Sequence, residues 1–276
     1  MTRYIKWLMP MLATLGIASS CNTNNQAPKV LVLYYSHSAN TKAVAEEFAN
    51  RLGADIEEIL PVEPYGDTYQ EVIERSRRER ELEIAPRVQP LSHDVAAYDV
   101  IFLGYPVWFG TYALPVASLL NDINLNGKKV VPFCTFGSGG LASSTKDLAA
   151  KFPDAEILPG YGVRAARIAA APQEIDRFLK ENGFIEGEVE QLEEFPAPHE
   201  AGEEEAAIFD EAVGDYPMIH AKATEVASRK VPGGTEYLFT ALDLPREDVP
   251  QMPANKFKVY VLALDGQAPE FTQVVR

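Results

Sequence analysis

Apolar runs alternate with amphipathic segments along the first two thirds of the chain. Runs such as KVLVLYY and YDVIFLGYPV are continuously apolar, which is typical of strands buried on both faces of a sheet. From Asn40 to Leu52 the apolar residues instead share one helical stripe, and Gly53 is a natural helix stop. Three further strand patterns (ADIEEILPV, KKVVPFCTF and AEILPGYGV) alternate with four further helix patterns (TYQEVIERSRREREL, LPVASLLNDI, STKDLAAKF and PQEIDRFLKENG). This alternation predicts an α/β domain over residues 29–184, with a doubly wound, five-stranded parallel sheet between two layers of helices.

The pattern changes after residue 184. Residues 185–202 are acidic, contain two prolines and lack an apolar period, so they predict a solvated linker rather than a partner site. One helix pattern follows (EEAAIFDEAV), and then four strand patterns (IHAKATEVASRK, TEYLFTALDL, FKVYVLALD and EFTQVVR). Residues 203–276 are therefore expected to form a small α+β domain, in which one helix packs on an antiparallel sheet.

Residues 1–20 differ from the rest of the chain. MTRYIKWLMPMLATLGIASS has two basic residues, an apolar stretch too short for an ordinary transmembrane helix, and small residues at its end. This order is typical of a secretory signal peptide. The stretch ASSC, which ends at Cys21, resembles a bacterial lipobox, in which the signal is removed before a cysteine that becomes acylated. The resemblance implies an exported lipoprotein, anchored through Cys21 to a membrane of the cell envelope, with residues 21–28 as a tether. A plain signal peptide followed by a chance cysteine is the alternative.

Charge and cysteine content exclude some classes of function. The net charge of −15 argues against nucleic acid as a partner, because phosphate contacts need Lys and Arg. The only cysteine besides Cys21 is Cys134, so an internal disulfide is not expected. Cys134 follows the apolar run VVPF and is interpreted as a buried small hydrophobe rather than as a nucleophile. The four histidines lack the spacing of metal ligands, and no metal site is predicted.

Polar side chains crowd the first loop after a predicted strand. In a parallel α/β sheet, ligands bind beyond the carboxyl ends of the strands. Four hydroxyl or amide side chains lie within six positions at the start of a helix, where free backbone N–H groups and the helix dipole favour an anion. An ordinary N-cap needs only one such side chain. We therefore predict a phosphate held by neutral donors, with the candidate residues Ser36, His37, Ser38, Ala39, Asn40 and Thr41.

Two further loops are expected at the same edge of the sheet. One carries three aromatic side chains between two glycines, and these rings either stack on a flat ligand ring or form a hydrophobic plug. The other contains three glycines, which either let the backbone approach a ligand closely or form a plain loop. The candidate residues are Tyr105, Pro106, Val107, Trp108, Phe109 and Gly110 in the second loop, and Thr135, Phe136, Gly137, Ser138 and Gly139 in the third.

Together the three loops resemble the cofactor site of the flavodoxin family, whose members bind FMN. The family's phosphate loop is typically T/S-x-T/S-G-x-T, and SHSANT matches it except that Ala39 replaces the glycine. If φ of Ala39 is positive, the replacement costs on the order of 1 kcal/mol. GYPVWFGTYALP is similar to the G-[YF]-P-x-W-[WF]-G-T segment of one branch. The resemblance covers residues 29 to about 184, and the unbroken pattern of the fifth strand implies the short-chain, flavodoxin-like fold.

The resemblance also implies roles for individual residues. The first loop is expected to hold the FMN phosphate, and Trp108 or Tyr105 is expected to lie against the isoalloxazine ring. His37 is either solvent-facing or an additional phosphate partner. In the last domain, KVPGGTEY is similar to the QVVAGTNY hairpin of cystatins, although Lys230 and Pro232 depart from it. A cystatin-like fold is implied there, without protease inhibition.

Three functions are consistent with the sequence. The first is an FMN-binding redox protein at the cell envelope, either an electron carrier or a small FMN-dependent oxidoreductase, whose redox partner is unknown. The second is a surface lipoprotein whose C-terminal domain recognises a partner while the flavodoxin-like domain is a scaffold. The third is a flavodoxin-like domain that has lost its flavin, and the intact aromatic loop argues against it.

Overall fold

The computed structural model describes residues 28–137, 140–189, 192–214, 216, 219–245 and 255–275. The predicted signal peptide, Cys21 and nearly all of the tether lie outside the described residues, as do Ser138 and Gly139 of the predicted third loop. Within the described ranges, no helix is long and apolar enough to cross a membrane.

A parallel sheet forms the centre of the first unit. Its strands are β1 (Val30–Tyr34), β2 (Asp55–Glu58), β3 (Val100–Trp108), β4 (Thr111–Tyr112), β5 (Lys129–Phe136), β6 (Glu156–Ile157) and β7 (Tyr161–Arg164). The parallel order is β2-β1-β3-β5-β6, with β7 also beside β5, while the short β4 pairs antiparallel with β3. The predicted doubly wound α/β fold is confirmed.

Helices cover both faces of this sheet. They are α1 (Asn40–Leu52), α2 (Tyr69–Glu81), α3 (Leu114–Asp122), α4 (Leu141–Lys151) and α5 (Ala171–Glu181), with 3-10 turns at Val95–Ala97 and Ala165–Ala170. α1 and α5 pack on one face, where the ring of Phe48 lies 5.1 Å from that of Phe102 and 5.0 Å from that of Phe133. α2, α3 and α4 pack on the other face. Both faces of the central strands β1, β3 and β5 are therefore buried, as their continuous apolar runs predict, while the edge strand β2 is partly exposed.

The fifth strand is divided, which corrects the expectation of an unbroken strand. β6 and β7 both pair with β5, and residues 158–160 separate them. Pro159 has no N–H to donate to a neighbouring strand. Gly160 lies so close to β5 that a Cβ atom there would come within 2.4 Å of the carbonyl oxygen of Pro132. The interruption is only three residues long, so no long insertion enters the sheet.

A separate antiparallel sheet with one helix forms the second unit. Its elements are β8 (His199–Glu200), α6 (Glu203–Val213), β9 (Ala221–Val231), β10 (Gly234–Asp243), β11 (Lys256–Leu264) and β12 (Glu270–Val275). Among the described residues the strand order is β12-β11-β10-β9-β8. Phe209 of α6 packs on Phe239 of β10, with ring centroids 5.3 Å apart. The predicted helix on an antiparallel sheet is confirmed, and the resemblance to cystatins stays a prediction.

Part of the predicted linker, residues 185–202, is attached to this second sheet. β8 lies within it and pairs with β9. The ring of Phe195 lies 6.1 Å from that of Tyr260, and the guanidinium carbon of Arg229 is 4.4 Å from the Phe195 ring centroid. The residues at 193, 194 and 196–200 are exposed, as expected of a solvated linker, but the pairing of β8 and the contacts of Phe195 attach this part to the second sheet.

Candidate functional site

The turn between β1 and α1 has the geometry of an anion-binding helix start. Ala39 precedes the helix with φ 63° and ψ −10°, which is the left-handed conformation, and its side chain does not cap the helix. The Oγ atom of Ser36 accepts a hydrogen bond of 3.2 Å from the backbone N–H of Lys42. The N–H groups of Asn40 and Thr41 precede it and have no partner within the helix. A left-handed residue followed by helical residues directs successive N–H groups into one concavity, which suits an anion.

The side chains of this turn have distinct surroundings. Ser38 is exposed, and its Oγ lies 3.3 Å from Nδ2 of Asn40, which donates to it. Thr41 is only 1% exposed, and its Oγ1 lies 2.8 Å from Oγ1 of Thr135. The half-buried His37 contacts Trp108 edge-on, with ring centroids 6.1 Å apart. The turn is thus connected to the third loop through Thr41 and to the second loop through His37.

The second loop is mostly strand, which corrects the predicted loop at 104–111. β3 continues to Trp108 and returns as β4 through a two-residue turn, in which Phe109 has φ 51° and Gly110 has φ 83°. Two consecutive residues with positive φ are typical of tight hairpins, whose twist matches that of the strands. The first glycine, Gly104, has a packing role, because a Cβ atom there would come within 2.1 Å of the Phe133 ring.

The aromatic side chains of this segment differ in how deeply they are buried. Tyr105 is 0% exposed, its hydroxyl donates to Oγ of Ser144 at 3.1 Å, and burial raises its pKa. Tyr105 therefore belongs to the core, and the prediction that it stacks on a ligand ring is wrong. Pro106 and Val107 are half-buried, as is Trp108, and Phe109 is 47% exposed at the turn. Of the two residues predicted to stack, Trp108 alone reaches the surface.

Two tyrosines that the sequence analysis missed surround Trp108. The ring of Trp108 meets Tyr35 edge-on at 5.6 Å and Tyr65 edge-on at 5.0 Å. The hydroxyl of Tyr65 donates to Oε2 of the buried Glu79 at 2.5 Å, and the guanidinium carbon of Arg75 lies 4.1 Å from the Tyr65 ring centroid. Burial and the bond to Glu79 raise the pKa of Tyr65, so the ring stays neutral. These contacts fix the orientation of the indole.

The two tyrosines differ in what the sequence indicates about them. Tyr35 directly follows β1 at the carboxyl edge of the sheet, a position that could have marked it. Tyr65 lies between β2 and α2, in a segment with no periodic pattern, and nothing in the sequence points to it.

The third loop begins later than predicted. Thr135 and Phe136 are buried residues of β5, and only Gly137 of the predicted loop is both exposed and described. Nε of Arg164, at the end of β7, donates to the carbonyl oxygen of Gly137 at 3.2 Å. Sequence analysis missed this cation, although its place at the carboxyl end of a parallel strand could have indicated it.

The structure also bears on two other kinds of site, a reactive thiol and a metal site. Cys134 is fully buried, and burial raises the pKa of its thiol to about 12. The thiol therefore stays protonated at neutral pH, which supports its interpretation as a buried hydrophobe. Among the residues described, no group of three His, Cys, Asp or Glu side chains has the arrangement of a metal site.

These observations define a class of protein. A parallel α/β sheet presents, at the same edge, an oriented indole and a helix start whose first two N–H groups have no partner within the helix, which suits a planar ligand that carries a phosphate. The family model of the flavodoxins matches residues 29–175, more than half of the chain, so the chain belongs to the flavodoxin family. FMN is accordingly its cofactor. The turn fits this group, because it combines left-handed Ala39, free helix N–H groups and neutral hydroxyl donors.

Several solved structures are similar to this chain. A candidate flavoprotein from Bacteroides eggerthii is 26% identical, with a TM-score of 0.49, over 57% of this chain and 99% of its own. A flavoprotein from Lactobacillus acidophilus in complex with FMN is 22% identical, with a TM-score of 0.45, over 55% and 98% of the two chains. Oxidised flavodoxin 2 from Bacillus cereus is 18% identical, with a TM-score of 0.36, over 55% and 99%. No curated protein sequence matches this chain.

Proposed function

We propose that this chain is an FMN-binding redox protein of the bacterial cell envelope, acting as an electron carrier or as a small FMN-dependent oxidoreductase. The observation that carries the proposal is the start of α1, where the N–H groups of Asn40 and Thr41 have no partner within the helix, beside the oriented indole of Trp108. FMN supplies the redox chemistry, and the protein supplies binding, orientation and control of access.

The turn at residues 36–41 holds the phosphate in this proposal. Ser36 and Ser38 offer hydroxyl donors, and Asn40 and Thr41 offer backbone N–H groups. No Lys or Arg lies within the six residues, so neutral donors alone compensate the dianion. A hydrogen bond to a charged group contributes about 1.5–3 kcal/mol, and several aligned donors are therefore needed.

Trp108 provides the surface for the isoalloxazine ring. Tyr35 and Tyr65 support its indole edge-on, and the Glu79–Arg75 ion pair in turn fixes Tyr65. An aromatic surface with a fixed orientation loses little conformational freedom when a ligand stacks on it. The high negative charge of the chain disfavours an anionic reduced flavin and so lowers the redox potential.

Attachment to the envelope rests on the sequence of residues 1–21. The basic start, the short apolar stretch and ASSC support export and acylation of Cys21. Acyl chains at about 0.8 kcal/mol per buried methylene would hold the protein stably at a membrane, provided that more than one is attached.

The proposed site is tested by comparing FMN with riboflavin, which has the same ring but no phosphate. Dissociation constants come from quenching of flavin fluorescence by the apoprotein. The wild type should bind FMN far more tightly than riboflavin, because riboflavin leaves the donors of the turn unpaired. Reversible bleaching of the bound flavin by dithionite then checks its redox activity.

Two variants distinguish the contribution of phosphate binding from that of ring stacking. Ser38→Ala removes an exposed donor and should weaken FMN binding about tenfold or more, while riboflavin binding is unchanged. Trp108→Ala is the control, since it should weaken both ligands by the same factor and leave their ratio unchanged. A wild type that leaves FMN fluorescence unquenched contradicts the proposed function. Equal affinity for FMN and riboflavin would show that the turn is a helix cap without a phosphate role.

A further inference from the structure

Arg164 connects the third loop of the flavin site to the C-terminal unit. Its Nε donates to the carbonyl oxygen of Gly137 at 3.2 Å, and its Nη1 donates to the carbonyl oxygen of Phe271 at 2.7 Å. The guanidinium carbon lies 3.4 Å from the centroid of the Phe271 ring. One planar group thus bonds to a backbone carbonyl of each unit and packs against a ring of the second.

Two further contacts place the same part of the C-terminal unit here. The hydroxyl of Tyr216 lies beside the loop, 4.0 Å from the position that a Cβ atom would take at Gly137, and its ring packs on Phe271 at 5.2 Å. Arg167, which is only 9% exposed, lies 3.9 Å from a carboxylate oxygen of Glu270 on β12. The start of β12 and Tyr216 therefore face the carboxyl edge of the first sheet.

We propose that the C-terminal unit is part of the flavin site and that Arg164 is the positioning residue that couples docking of this unit to FMN binding. This inference rests on the proposed function. The described start of the third loop has few restraints of its own, because Gly137 is exposed and carries no side chain. The bond from Arg164 supplies such a restraint, and the C-terminal unit holds Arg164 in place.

Arginine has the chemistry for this role. Its planar fork donates in two directions at once and packs on an aromatic face, which the flexible, single ammonium of lysine does not reproduce. Burial lowers the pKa of Arg164, but an arginine stays protonated in proteins, so the donors persist across the physiological range. Because coupling between two sites is reciprocal, bound FMN should in turn stabilise the docking of β12.

The test is Arg164→Met in the full chain, with FMN as the ligand. FMN affinity should fall at least about fivefold, which is the lower end of typical coupling between sites. The matched control is Arg229→Met. Arg229 also donates to a backbone carbonyl, that of Glu193, and packs on an aromatic ring, that of Phe195. These partners and Glu236, to which it also donates, lie within the C-terminal unit and the segment before it. Loss of Arg229 should leave FMN affinity unchanged.

Hydrogen exchange provides a readout independent of redox activity. Saturating FMN should slow amide exchange in β12 of the wild type and should have no such effect in Arg164→Met. Arg164→Lys keeps the charge but offers one nitrogen for two carbonyls, so its FMN affinity and its amide exchange in β12 should be intermediate between those of the wild type and Arg164→Met. This variant also provides the test if Arg164→Met does not fold.

The outcomes distinguish this inference from the proposed function. Failure of the wild type to bind FMN overturns the proposed function itself. If the wild type binds FMN while the Arg164 variants bind it equally well, or if Arg229→Met weakens binding as much as Arg164→Met, the C-terminal unit is not part of the flavin site.

Discussion

Ala39 has a backbone conformation that favours glycine. Its φ of 63° brings the Cβ atom close to the following carbonyl group, which costs about 1–2 kcal/mol in an L-residue. The family pattern has glycine at this position, and the sequence alone does not fix the sign of φ. The strain lies in the turn that is proposed to bind the phosphate, where left-handed backbone directs N–H groups toward an anion.

Ala39→Gly is therefore expected to stabilise the apoprotein by about 0.5–1 kcal/mol. Relief of the strain outweighs the larger conformational entropy that glycine has in the unfolded chain, which costs about 0.5–1 kcal/mol. Urea unfolding measures the difference. Gly53→Ala is the matched control at the other end of α1: φ is 60° there, and no atom lies within 4 Å of the added methyl group. It should destabilise the protein by a similar amount. Equal stability of both variants with the wild type would contradict the strain argument.

Glu57 attaches the edge strand β2 to the segment that leads into β3. Its carboxylate accepts hydrogen bonds from the backbone N–H groups of Ser92 and His93, at 2.5 and 2.9 Å, and from the Ser92 hydroxyl at 2.9 Å. His93 Nδ1 lies 2.8 Å from the same carboxylate. Burial opposes ionisation of Glu57, but these hydrogen bonds outweigh it and lower the pKa below 4.5.

The lowered pKa of Glu57 predicts a loss of stability in acid. A carboxyl group whose pKa is lower in the folded state than in the unfolded state stabilises the fold fully above the unfolded value, here about 4.5. This contribution is lost as the pH falls through the folded value. Glu57→Gln should cost about 1–3 kcal/mol at pH 7, and the difference from the wild type should shrink below pH 4.5. Urea unfolding at pH 7, 5, 4 and 3 checks this, and a pH-independent difference would contradict it.

The elements were predictable where burial alone decides them. β1, β3 and β5 are apolar throughout because both faces are covered, and the stripe of α1 repeats at helical spacing. The site was less predictable. Tyr105 is buried and Phe109 is exposed because β3 continues into a hairpin that turns at Phe109 and Gly110. A large aromatic residue is not a usual turn former, so the sequence did not predict this turn. The contact between Arg164 and Phe271 joins residues 107 positions apart, which no local pattern encodes.

At the scale of the whole molecule, the proposed lipid anchor can be tested independently of flavin binding. Cys21→Ser should release the protein from the membrane fraction or leave an unprocessed precursor, because acylation at this position is proposed to hold it at the envelope. Fractionation followed by mass measurement of the mature chain checks this. Ser20→Ala, which keeps a small residue before the cysteine, should remain membrane-bound. Wild-type protein found wholly in the soluble cytoplasmic fraction would contradict the anchor.

The contact between Arg164 and β12 also bears on self-association. In the sheet formed by the described residues, β12 is an outer strand, and the outer edge of a sheet can recruit a strand from another molecule. One carbonyl of that edge, on Phe271, is already bonded to Arg164 of the same chain, and Arg167 faces the neighbouring Glu270. Docking of the two units therefore protects the start of this edge from intermolecular strand pairing. Under the proposed anchoring at a membrane, where neighbouring copies would meet often, such protection would oppose strand pairing between molecules.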